Sequence, residues 1–289
     1  MARAIANDIE IEYAVHGDPS HPVVLFIMGL GAQMTAWDQD FINRFVDEGF
    51  CVITYDNRDV GLSTWFDEHG EVDVLPFLLG ESIEAPYSLA HMAADGIAVL
   101  DTLGIEQAHI LGISMGGMIA QQLVIDHPHR TITLTSIMST TGAAEVGQPT
   151  PEAIASLLTP PATTRDEAIE TGVDGWRIIS SVGYPFEEDD IRRRTGEAYD
   201  RAYHPVGTNR QLAAILASGD RTEALRSVTA PTLVLHGEAD PLVTPTGGEA
   251  TAAAVPGARH LTYPGMGHDL PRPLWNELVQ EITGHLRSV

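Results

Sequence analysis

The sequence predicts an α/β fold: a sheet of largely buried strands with helices on both faces, interrupted by one helical insertion. Three observations predict it. Short, nearly continuous apolar runs recur along the chain, amphipathic stretches with helical spacing fall between them, and residues 140–215 lack a convincing strand. Runs that are apolar throughout suit strands covered on two faces, and their alternation with helices marks a layered α/β domain. At 289 residues the chain has room for one such domain and an insertion.

Taken in order, residues 9–15, IEIEYAV, alternate apolar and polar, the period of a half-buried strand near a sheet edge. PVVLFIM (22–28), FCVITYD (50–56), AHILGI (108–113) and PTLVLHG (231–237) read as fully buried strands, and TITLTSIM (131–138) as another. Residues 88–103 space Leu89, Met92, Ala93, Ile97, Leu100 and Leu103 by threes and fours behind Ser88, a suitable N-cap. LWNELVQEITGHL, near the C-terminus, repeats Leu274, Leu278, Ile282 and Leu286 in the same way. The core is therefore expected at 1–139 and 216–289, with 140–215 as a helical cap over it. The cap opens with a stretch rich in turn residues and continues through EDDIRRRTGEAYDRAY, a helical pattern.

Composition excludes several classes of function. Net charge is −24, from 40 acidic residues and 16 basic ones, all arginine. Such a field repels phosphate, so no nucleic-acid partner is expected. The excess reads as solubility, and it would also help expel an anionic product. No apolar stretch reaches the length of a membrane span and no leader peptide is visible, which makes a cytoplasmic location the expectation. Cys51, the single cysteine, lies in an apolar run and reads as a small core residue. No cofactor or metal is expected; His127 and His129 are paired but lack a third ligand at useful spacing.

The chemistry starts at HILGISMGGMIAQQ, residues 109–122. Ser114 sits between a strand and a helix, inside Gly-x-Ser-x-Gly. A sharp corner there lifts the hydroxyl above the carboxyl edge of the sheet and needs small neighbours, which accounts for Gly112 and Gly116. A serine nucleophile needs a base held by a third group. Of twelve histidines, His268 alone lies on a glycine-rich loop, YPGMGHDLP, after a strand-like run and before the last helix. Asp240, just after the strand 231–237, is the expected acid; Glu238 and Asp269 compete with it. Asp269 adjoins the base in sequence, and neighbouring loop residues rarely point the same way. For the oxyanion, the Met115 N–H at the helix start and the Leu30 N–H in Gly29-Leu30-Gly31 are the candidate donors. Gly29, Met28, Met34, Tyr184, Phe186 and Met266 are candidate substrate contacts. Met115 and Met118 also lie near these loops, where unbranched methionine suits varied apolar groups.

Together IMGLG, YDNRDVGLST, GISMGG, HGEADPLV and PGMGH resemble the α/β-hydrolase superfamily and its serine-nucleophile branch. The pattern is similar to bacterial carboxylesterases and to the aclacinomycin methylesterases, which share the YDxRDxGxST loop and a WRI…PF segment, here Trp176 to Phe186. The resemblance implies a mostly parallel sheet of about eight strands with a helical cap between strands six and seven. It implies a carboxylesterase acting through an acyl-enzyme on neutral, short-to-medium-chain esters, with acyl transfer to alcohols or a methylesterase of a polyketide-like substrate as alternatives. The partner is then a small-molecule ester. Two positions depart from the family pattern. Met28 stands where a histidine usually precedes Gly29, and Asp59 stands where the loop usually has glycine. Asp56, Arg58 and Ser63 are expected to tie that loop down.

Overall fold

The computed structural model describes residues 2–78 and 82–289. Eight strands form one sheet: β1 (Ala2–Ala6), β2 (Ile9–His16), β3 (Val23–Ile27), β4 (Cys51–Tyr55), β5 (Ala108–Ile113), β6 (Thr131–Ile137), β7 (Thr232–Gly237) and β8 (Arg259–Tyr263). Their order is β1-β2-β4-β3-β5-β6-β7-β8. Only β2 runs against its neighbours; every pairing from β4 to β8 is parallel. Every residue of β3, β4 and β7 is buried, as their unbroken apolar composition requires. β1 was not expected from its short, alanine-rich run; Ala4 and Ala6 are its buried face.

The helices are α1 (Gln39–Asp47), α2 (Leu75–Leu78), α3 (Leu89–Thr102), α4 (Met115–Asp126), α5 (Pro151–Leu157), α6 (Arg165–Ile179), α7 (Glu188–Ala202), α8 (Pro205–Ser218), α9 (Thr222–Leu225), α10 (Thr246–Ala254) and α11 (Trp275–Leu286). The two-residue period of a strand divides the core. Leu25 and Ile27 of β3 face one way, onto Leu89, Met92 and Leu100 of α3 and Ile119 and Leu123 of α4. Val24 and Phe26 face the other way, onto Phe41 and Phe45 of α1 and Trp275, Leu278 and Ile282 of α11. Each such fully buried side chain contributes about 1.5–3 kcal/mol. Ser88 is the N-cap of α3, and its own N–H donates to His91 Nδ1 at 3.1 Å.

Helices α5 to α9 lie between β6 and β7 in the chain. α8 runs through residue 215 to Ser218, so the helical segment reaches past the limit expected from sequence. No helix among the described residues is long and apolar enough to cross a membrane. Register places the site: Ile27 pairs with Gly112, Ile113 with Ile137 and Gly237 with Tyr263, so the carboxyl ends of five parallel strands lie side by side.

Candidate active site

Ser114 closes β5 and opens α4 in a backbone conformation that non-glycine residues avoid, φ 56° and ψ −123°. Such a residue stores roughly 1–3 kcal/mol of strain, which the surroundings must hold. They do. Ser114 N–H donates to Ile137 O at 2.9 Å, and Ser114 O accepts from the N–H of Gly117 at 2.9 Å and from Ser139 Oγ at 2.9 Å. The flanking glycines are required by close approach. A Cβ on Gly112 would lie 2.0 Å from Gly116 O, and one on Gly116 would lie 2.0 Å from Ile27 O.

The carboxyl-edge loops bring the three expected groups together. His268 Nε2 lies 2.9 Å from Ser114 Oγ, and His268 Nδ1 lies 2.7 Å from Asp240 Oδ2. With Nδ1 protonated and donating to the carboxylate, Nε2 is left to accept the serine O–H. Asp240 Oδ1 accepts from the N–H groups of Leu242 and Val243 at 2.8 and 3.0 Å, which fixes the acid in its turn. Burial alone would raise the Asp240 pKa; the charges and hydrogen bonds of His268 and His236 outweigh it and bring the group to about 2. His236, fully buried on β7, lies 3.5 Å from Asp240 Oδ2 and donates from Nε2 to Val243 O at 2.7 Å. The two competing acids are engaged elsewhere: Glu238 accepts from Thr262 Oγ1 at 2.8 Å, and Asp269 accepts from the Ser181 N–H at 3.0 Å.

The loop after β3 also approaches the serine. A Cβ on Gly29 would come within 3.2 Å of Ser114 Cβ, so only a small residue leaves the hydroxyl open there. Among the described residues, neither the Leu30 nor the Met115 N–H donates to a protein acceptor, which leaves two amides at the carboxyl edge. The loop is anchored by residues that sequence reading missed. Asn57 Nδ2 donates to Met28 O at 2.9 Å, and the Gly31 N–H donates to Gln211 Oε1 on α8 at 2.8 Å. Gln211 carried no signal, because its partner lies 180 residues away in sequence.

The methionines are packed more deeply than a pocket lining suggests. Met266 and Met115 have no accessible surface, and Met28, Met34 and Met118 keep 7%, 4% and 6%. Met266 is a core residue among Leu235, Tyr263 and Trp275 rather than a wall of a site. Tyr184 is partly buried against the same cluster, and Phe186 lies under the Arg177 guanidinium at 5.8 Å. Tyr199 and Tyr203 stack on each other at 4.6 Å and serve the packing of the insertion itself.

The expected loop anchors are in place. The Asp56 carboxylate accepts from the Met34 and Leu62 N–H groups at 2.7 and 2.9 Å, Arg58 grips Asp95 through two bonds of 2.7 Å, and Ser63 Oγ donates to Asp56 O at 2.6 Å. Asp59 takes the positive φ, 68°, that glycine usually supplies. Its carboxylate accepts two bonds from Arg210 of α8 and one from Tyr87 OH, at 2.7 to 2.8 Å.

A family model described as the alpha/beta hydrolase fold matches residues 22–271. The chain belongs to the α/β-hydrolase family. This α/β-hydrolase is 32% identical to rhodomycin D methylesterase DnrP of Streptomyces peucetius, over 99% of its own length and 98% of that protein's. It is 31% identical to rhodomycin D methylesterase DauP of Streptomyces sp. (strain C5), over 94% and 93% of the two chains. Its fold matches the crystal structure of the enol-lactonase from Burkholderia xenovorans LB400 with a TM-score of 0.74, at 20% identity over 99% of each chain.

Proposed function

We propose that this α/β-hydrolase is a carboxylic ester hydrolase that uses Ser114 as nucleophile, His268 as general base and acid, and Asp240 as the acid that orients the base. The observation that carries the reading is the unbroken hydrogen-bonded chain from Ser114 Oγ through His268 to Asp240. Ser114 Oγ attacks the ester carbonyl carbon as its proton passes to His268 Nε2. The tetrahedral oxyanion takes hydrogen bonds from the N–H groups of Leu30 and Met115. Collapse breaks the bond to the alcohol oxygen, which receives the proton from His268. Water then gives a proton to His268, its oxygen attacks the acyl carbon, and Ser114 leaves with the returned proton. The Asp240 carboxylate stays ionised throughout and stabilises the imidazolium.

The substrate is a neutral, short-to-medium-chain ester, with Gly29, Met28, Met34, Tyr184 and Phe186 beside the reacting carbon. The insertion between β6 and β7 acts as the cap that covers it. A second reading, a methylesterase of a polyketide-like acid, is favoured by the two Streptomyces relatives, which match almost end to end. Ser114→Ala should lower p-nitrophenyl butyrate hydrolysis by at least about 10³-fold and abolish labelling by a fluorophosphonate. Retained turnover in that variant would refute the assignment. A panel pairing p-nitrophenyl esters with aromatic polycyclic methyl esters separates the two substrate readings by kcat/KM. Added alcohol reveals acyl transfer, because a competing acceptor yields a new ester in place of the acid.

A further inference from the structure

The loop that carries His268 is held from two sides. The core holds one side: the Ala239 N–H donates to Met266 O at 2.9 Å, and the Met266 N–H donates to Tyr263 O at 3.2 Å. The insertion holds the loop from the other side, at the turn that leaves α6. The His268 N–H donates to Ile179 O at 2.7 Å, and the Gly183 N–H donates to Gly265 O at 2.9 Å. The Gly267 N–H donates to Ser181 Oγ at 2.9 Å. Ser181 in turn donates to Asp269 Oδ1 from its N–H at 3.0 Å and also from its hydroxyl. The two segments touch main chain to main chain. A Cβ on Gly183 would lie 2.8 Å from Gly265 Cα, and one on Gly267 would lie 2.5 Å from Ser180 C.

Ser181 is the centre of this strap. It is 8% exposed, its hydroxyl accepts on one side of His268 and donates on the other, and its partners are the residues immediately before and after the histidine. We propose that Ser181 and Asp269 are positioning residues for His268: they strap the histidine loop to the insertion and thereby set the imidazole between Ser114 and Asp240. The inference rests on the reading of His268 as the base. The imidazole must meet Oγ at 2.9 Å and the carboxylate at 2.7 Å at once. A displacement of about 1 Å in such a contact costs on the order of 10²-fold in rate. His268 is therefore in register only while the insertion is seated, and the strap acts on turnover rather than on substrate affinity. Asp269 completes it from the core side: burial raises its pKa, the bonds from Ser181 and the charge of His268 oppose the rise, and Asp240 adds to it.

The test uses the full-length protein and the variants Ser181→Ala, Asp269→Ala and their double, with kcat and KM for a p-nitrophenyl ester. The far-downfield proton NMR resonance of the His268–Asp240 hydrogen bond is followed alongside. Each single variant should lower kcat about tenfold or more, leave KM within about twofold, and broaden or shift the resonance. The double variant should be no worse than the poorer single, because both break one strap. An unchanged resonance with kcat within about twofold of the parent, or losses that multiply in the double, would overturn the proposal. If the alanine variants do not fold, Asp269→Asn carries the test. It keeps an oxygen for the Ser181 N–H but loses the anionic acceptor, so kcat falls about threefold and the resonance broadens, or the strap is refuted. A parent protein inactive on every ester, yet with a resonance that depends on Ser181, would leave the strap standing and sink the hydrolase reading.

Discussion

At Asp240, environment decides the charge state. A carboxyl as buried as this one would normally hold its proton longer, yet His268, His236 and two main-chain N–H groups surround it and keep it ionised down to about pH 2. Asp240 should therefore make no contribution to the acidic limb of kcat/KM above about pH 3. Asp240→Asn leaves a group of the same shape that can neither stabilise the imidazolium nor enforce its tautomer. We expect it to lower kcat by about 10³–10⁴-fold while the melting temperature changes little, as read by steady-state kinetics and calorimetry. The three groups that the structure brings together were legible because each sits in a local pattern: Ser114 between glycines at a corner, His268 on a glycine-rich loop, Asp240 just past an apolar run. The residues that hold them were not. Ser181 meets Gly267 across 86 positions, and Asn57 meets Met28 O across 29, so no local pattern announces either. Met266 was over-read for the opposite reason. Proximity in sequence to a loop does not say which way a side chain points, and Met266 points into the core.

Among the elements, the tie between the loop after β4 and helix α8 sets how firmly the insertion is seated. Asp59 and Arg210 are both fully buried and paired through two bonds, with Tyr87 OH on the same carboxylate. Removing one partner of such a pair strands the other charge, at a cost of about 3–5 kcal/mol, whereas replacing both is much milder. Arg210→Met should therefore destabilise the protein by about that amount in urea titration. Adding Asp59→Asn should restore a good part of it, since the stranded anion is gone. A double variant as unstable as the single would show that the packing of α8, not the buried charge, bears the load. The strands and long helices were readable because each has one periodicity and a buried face: β3 and β4 as unbroken apolar runs, α3 behind its Ser88 cap. The end of the insertion was harder to place. α8 is buried through Ala213 and Ala214 and has no glycine or proline between Gly207 and Gly219, so residue 215 falls inside a continuous helix. β1 escaped for want of length and of large side chains; its ladder to β2 and the burial of Ala4 and Ala6 hold it.

For the whole molecule, mild acid bears on the fold through its buried histidines. With a net charge of −24 the chain repels itself near neutrality, and its many carboxylates begin to lose charge only below about pH 5. Between pH 7 and 5 the titrating groups are histidines, and several are held neutral. His109, on β5, donates to or accepts from Thr133 Oγ1 at 2.9 Å and has Phe50 at its ring edge; burial, with the nearby His285, lowers its pKa to about 4. His285, on α11, reaches Leu134 O from Nε2 at 3.2 Å, and burial, then the charge of Arg259, lowers its pKa too, partly offset by carbonyls. A histidine whose folded pKa lies below its unfolded value binds its proton first in the unfolded chain. Its contribution to stability is complete above about pH 6.5, falls as the pH drops below that, and stops falling near pH 4. For His109 alone the loss from pH 7 to 5 is about 1–2 kcal/mol. His109→Asn keeps a polar partner for Thr133 and cannot titrate. Whatever it costs at pH 7, its stability should decline less between pH 7 and 5 than that of the parent, by about 1–2 kcal/mol, in denaturant titrations at the two pH values. Parallel declines in the two proteins would mean that His109 takes up its proton in the folded state as readily as in the unfolded chain.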